Sequence, residues 1–233
     1  MSNLRTGKYG QYYGSYYNES KALTTAQMRV NAKYIYSYLL DKGWTVNAIA
    51  GLLGNMQHES AINPGRWQSN KVNNMSGGYG LVQWTKASKY INWCSEHGYS
   101  DPSEMDANLA RIIWELENNQ QYYKTSTYPL TFREFTKSTE SPYYLACAFA
   151  WNYERSHTVL YGSESAKESL RQKRGGSANT WYEYLTGTTP TPPDDGEDDS
   201  EDNEPGERPP YVGGQSKRMS LLLLVAASKR RGM

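Results

Sequence analysis

The chain has 233 residues, a formal net charge of +1, and an aromatic content dominated by 21 Tyr and 7 Trp. That length holds one sizeable core plus extensions rather than several domains. Its two cysteines, Cys94 and Cys147, lack metal-ligand spacing, so neither a metal nor any other cofactor is expected; the charge is too balanced to call for a nucleic-acid partner.

The near-zero charge hides an asymmetry. Residues 194–207, DDGEDDSEDNEPGE, contain nine acids and no base, and six bases follow them; the portion before that run has 19 bases against 15 acids, or +4. A mildly basic domain tolerates an anionic matrix.

In chain order, residues 1–22 are polar and rich in Tyr and Gly without clear periodicity, and read as an irregular extension that lacks the apolar stretch of a signal peptide. Thr24 or Thr25 then caps a helix, AQMRVNAKYIYSYLLDKG, that stops at Gly43. Thr45 caps a second, VNAIAGLLGNMQHES, in which Leu52, Met56 and Glu59 share one stripe, while Asn47, Gly51, Asn55 and His58 share a more polar side. Asn63-Pro64-Gly65 ends it, and a loop rich in Gly, Asn and Ser runs to Gly80, enough for a short hairpin or an irregular lip. Further helices are expected at about 86–97, 103–118 with Ser103 as cap, 131–138 with Thr131 and Glu134 as a capping box, 141–155 and 163–185. Cys147, within YLACAFAW, reads as a packed free thiol rather than half of a lone disulfide.

At Thr188 the composition changes to proline and dense like charge, which reads as an extended acidic linker over 188–214. The tail 215–233 carries the apolar run Leu221 to Ala227 between bases, too short to cross a bilayer but suited to a membrane surface or to docking on another protein. The fold class is therefore mainly α: a helical domain over 23–187 with a short loop or hairpin lip, then linker and tail.

Glu59 invites a chemical reading. A carboxyl on the edge of a buried helical face loses hydration, which favours its protonated form and suits a general acid near neutral pH. A solvated helix-end acid is the plainer alternative, although the negative end of the helix dipole favours a base there.

Three segments stand out together: HES at 58–60, GGYGLVQWT at 77–85 and FAWNYERS at 149–156. In this order, separated by helices, they resemble the phage tail lysozyme domain of the lysozyme-like superfamily and, more distantly, soluble lytic transglycosylases. The resemblance runs from about Thr24 to Leu185. It implies a lysozyme-like fold and cleavage of the β-1,4 bond between N-acetylmuramic acid and N-acetylglucosamine in bacterial peptidoglycan. Glu59 is then the catalytic acid, with Ser60, Tyr79, Gly80, Leu81, Gln83, Trp84, Asn152 and Tyr153 about the substrate groove; Trp67 and Trp84 serve the core or stack on sugar. A sugar oxygen is a poor leaving group, so a positioned proton donor is required in any case.

No Asp or Glu lies between Ser60 and Ser95, so a second carboxylate comes from farther along the chain. Glu154 is the foremost candidate, ahead of Asp101, Glu104 and Asp106; without one, the N-acetyl group or the muramic 6-hydroxyl would complete the reaction, the latter giving anhydro ends. A non-catalytic glycan-binding or structural tail protein is the alternative of a different class. The expected setting is a phage virion tail or the host cell wall, with peptidoglycan, other tail proteins or a membrane surface as partners, and with no transmembrane helix.

Overall fold

A computed structural model describes residues 3–189. The chain divides into two units, Met1–Asp194 and Asp195–Met233. The second, with most of the acidic linker and the whole basic tail, lies outside the described residues.

The first unit opens with an antiparallel hairpin, β1 (Asn3–Gly7) and β2 (Gly10–Gly14), in the register Asn3 to Gly14 and Gly7 to Gly10. The segment is thus not irregular. Its tyrosines are β-formers that gain order by packing: Tyr12 is buried and meets Tyr34 edge-on, Asn31 clamps the Tyr13 backbone from both sides, and Arg5 reaches Asp101 at 2.7 Å. The signal was tertiary and therefore invisible as periodicity.

Eight α-helices follow among the described residues: α1 (Thr25–Asp41), α2 (Val46–Ser60), α3 (Ala87–Glu96), α4 (Met105–Glu117), α5 (Phe132–Lys137), α6 (Pro142–Phe149), α7 (His157–Tyr161) and α8 (Glu164–Thr186). Thr24 is the α1 cap, in a capping box with Gln27, and Thr131 with Glu134 forms the expected box at α5. Ser103 is not the α4 cap; it is buried and bonded to Asp101, and the helix begins after Glu104. The lip is a short hairpin, β3 (Gly78–Tyr79) with β4 (Trp84–Thr85).

The expected helix at 141–155 differs in kind. After α6 the chain continues as a π-helical turn, Ala150–Glu154, and ends at Arg155 in the left-handed region, φ 48°. Such a turn inserts an extra residue and re-aims the chain beyond it. The short α7 has no counterpart among the expected helices.

The core lies around α2, which packs against α6 and α8. The middle of the side of α2 that reads as polar is buried too, because Gly51 and Asn55 face α6, while Asn47 is half-buried and His58 exposed. Cys94 and Cys147 are buried free thiols, pushed up by burial to about 11 and about 12 respectively.

Candidate active site

The glycines of GLLGN explain how α2 delivers its acidic end. A Cβ on Gly51 would stand 2.9 Å from the Leu145 Cβ on α6, and one on Gly54 would stand 2.6 Å from the Arg174 carbonyl on α8. Only glycine allows both neighbours to come this close. Asn55 fixes the contact by donating to the Ala146 carbonyl at 2.9 Å, and His58 joins α8 through the Ser177 hydroxyl at 2.9 Å. Ser60 ends the helix by donating to the Leu81 carbonyl at 2.8 Å, which ties the acid helix to the lip.

Glu59 emerges between these anchors with 21% of its side chain exposed, ion-paired to Arg174 of α8, itself 11% exposed. The second Arg174 nitrogen donates to the Asn55 carbonyl at 2.7 Å. The desolvated carboxyl in the groove is Glu154, at the end of the π turn. Its Oε1 is enclosed without a hydrogen-bond partner. Burial holds Glu154 well above the usual carboxylate range; the Glu59 charge adds to this, Arg174 opposes it, and Glu115 adds again.

Glu59, Glu154 and Gln83 line one cavity of ≈ 480 Å³, together with Arg66, Gln68, Ser69, Thr85, Ser156 and His157. Gln83, at φ 51°, spends its amide on the Arg66 and Gly80 carbonyls, both at 3.0 Å, so its nitrogen secures the lip. A larger cavity of ≈ 670 Å³ lies by Tyr16, Tyr17 and Asp101, but that carboxylate is already held by Arg5 and Ser103. Two carboxyls, one without a partner, make the smaller cavity the candidate.

The other sequence candidates stand behind the cavity wall. Ser60, Tyr79, Gly80, Leu81 and Trp84 are buried in or under the lip, and Trp67 is fully buried with its indole on the Tyr17 carbonyl. Gly80 needs its φ of 83°, and a Cβ there would meet Asn108 Oδ1 at 2.6 Å. Asn152 holds the π turn to the preceding loop by donating to the Tyr128 carbonyl at 2.8 Å and accepting from Thr125 at 2.9 Å. Tyr153 stacks on Phe149 at 4.3 Å. Asp101 and Asp106 are engaged by the N-terminal hairpin and α1, and neither they nor Glu104 line the Glu59 cavity.

Three residues escaped sequence reading. Glu115 is buried at 1% exposure and accepts from Trp84 on β4, Tyr153 on the π turn and Arg111, so one carboxylate joins lip, turn and α4. Burial pushes it upward, against the pull of those donors. Arg174 was hidden among the bases of α8, although the adjacent Gly175 marks a close approach: a Cβ there would lie 2.2 Å from the Tyr143 ring. Arg66, after Pro64-Gly65, carried no local signal.

The sequence matches the family model described as phage tail lysozyme over residues 30–185. It is also 45% identical over 172 residues to Morphogenesis protein 1 of Bacillus phage B103, an alignment covering 74% of this chain and 44% of that protein. The chain thus spans less than half the length of that relative. With two carboxyls facing one cleft in a helical domain capped by a short lip, and with the family matched across nearly all of that domain, the chain belongs to the phage tail lysozyme family.

Proposed function

We propose that the chain is a peptidoglycan muramidase that hydrolyses the β-1,4 bond between N-acetylmuramic acid and N-acetylglucosamine through Glu59 and Glu154. The single observation that carries this is the pair of carboxyls lining one cavity, one held by a cation and the other desolvated and unpartnered. The two-carboxyl route of glycoside hydrolysis needs its carboxyls in different protonation states, and different surroundings favour that.

By the family resemblance Glu59 is the proton donor and Glu154 activates water. A specific observation favours the exchanged roles: burial raises Glu154 above the usual carboxylate range, which favours its protonated form, whereas Glu59 is paired with the Arg174 guanidinium. The pH dependence of cleavage separates the two. The group that donates sets the basic limb and the group that acts as base sets the acidic limb, so Glu→Gln at each position removes activity while Glu→Asp shifts one limb only. A Glu154→Asp variant that moves the basic limb assigns the proton to Glu154; one that moves the acidic limb assigns it to Glu59.

Gly80, Leu81, Gln83, Asn152 and Tyr153 support this chemistry by holding lip and π turn in place. The relative's name, Morphogenesis protein 1, supports a role within phage assembly, as a wall-cutting part of a virion tail.

A further inference from the structure

Arg66 lines the same cavity as Glu59, Glu154 and Gln83. Its Nη1 is enclosed, and among the described residues the side chain makes no hydrogen bond or ion pair. Arg5, Arg111, Arg171 and Arg174 each hold a carboxylate; Arg66 holds none. An unpartnered, partly buried cation costs stability, and a guanidinium cannot relieve that cost by losing its proton. Its base is nonetheless fixed: the Arg66 carbonyl accepts from the Gly80 amide at 2.9 Å and from Gln83 at 3.0 Å. A Cβ on the preceding Gly65 would stand 2.0 Å from the Ser15 carbonyl, so the N-terminal segment braces the same loop. The backbone is held while the guanidinium is left without a partner, as a preorganised anion subsite requires.

Resting on the reading of this groove as a glycan site, we infer that Arg66 takes a carboxylate carried by the muramyl side chain, and so selects peptidoglycan over neutral polymers of N-acetylglucosamine. Of the two alternating sugars, only the muramyl residue bears an acidic substituent. That carboxylate is the lactyl group itself where the stem peptide has been removed, or a carboxylate of the stem where it remains. The planar fork of arginine matches it with two parallel hydrogen bonds, which lysine cannot reproduce.

The test uses the full chain with Glu59→Gln, which binds without cutting, with and without Arg66→Gln. Each is titrated calorimetrically with chitotetraose, with a muramyl tetrasaccharide bearing free lactyl groups, and with the same tetrasaccharide carrying stem peptides. Arg66→Gln is expected to weaken an acidic probe about tenfold or more and to leave chitotetraose unchanged. Loss on both acidic probes assigns the lactyl group, and loss confined to the third assigns the stem. Equal affinities for every probe, or uniform weakening including chitotetraose, overturn the inference. If the Glu59→Gln parent binds none of the three, the glycan reading itself fails. A melting temperature for Arg66→Gln at or above that of its parent establishes folding, and Arg66→Lys should recover only part of the lost affinity.

Discussion

Arg174 on α8 binds the Glu59 carboxylate at the end of α2. The contact joins two helices that are distant in sequence, and it brings a cation close enough to Glu154 to oppose the upward shift of that carboxyl. Both partners are mostly buried, so the pair is costly to break one-sidedly, because the remaining charge is left without its partner. Arg174→Ala is expected to lower stability by about 1–3 kcal/mol. Urea unfolding of the two single variants and the double variant with Glu59→Gln should give a coupling of at least about 0.5 kcal/mol; strict additivity would show that the pair contributes nothing.

Gly54 makes that contact feasible. In an exposed helix Gly→Ala stabilises by roughly 0.5–1 kcal/mol. At Gly54 the sign should reverse, with a loss of about 1–3 kcal/mol, because the new Cβ meets the Arg174 carbonyl at 2.6 Å. Thermal unfolding of Gly54→Ala beside an exposed control, Gly176→Ala, where no atom lies within 4 Å, checks it; equal shifts would deny the close approach.

Glu154 links chemistry to stability. Its folded-state pKa is raised, so its protonated form favours the fold at low pH, and this contribution fades as pH climbs from the ordinary glutamate value of 4.5 through the raised value. Glu154→Gln removes the titration. The variant should therefore gain melting temperature relative to wild type progressively above pH 4.5, with little difference below it. A difference that is constant across pH would place Glu154 in contact with solvent.

Much of this was legible in the sequence, for identifiable reasons. Helices with side-chain caps, such as those at Thr24, Thr45 and Thr131, carry their boundaries locally. Glu59 could be singled out because it ends an apolar helical stripe, and Glu154 because it falls in the segment FAWNYERS that resembles the family, with no acid between Ser60 and Ser95. The hidden features depend on long-range pairing. The N-terminal hairpin is ordered by α1, the π turn is set by the Glu115 and Asn152 contacts, and Arg174 lies 115 residues from its partner. The strong desolvation at Glu154 had no local signal, because burial depends on the elements packed across the groove as well as on a residue's own helix.

Glu59→Gln should preserve the fold and remove at least about 10²-fold of wall-degrading activity, the scale of lost general acid–base catalysis. Clearing of purified peptidoglycan in a gel by equal, refolded amounts of each protein reads this out. Clearing at the wild-type rate would remove Glu59 from the chemistry.

The most direct measurement is the identity of the ends that are made. Purified peptidoglycan is digested with the full chain, reduced with borohydride and analysed by mass spectrometry. Hydrolysis through Glu59 and Glu154 predicts fragments that terminate in reduced muramic acid, absent from digests with Glu59→Gln or Glu154→Gln. Terminal 1,6-anhydromuramic acid, reduced glucosamine ends, or no fragments at all would contradict it.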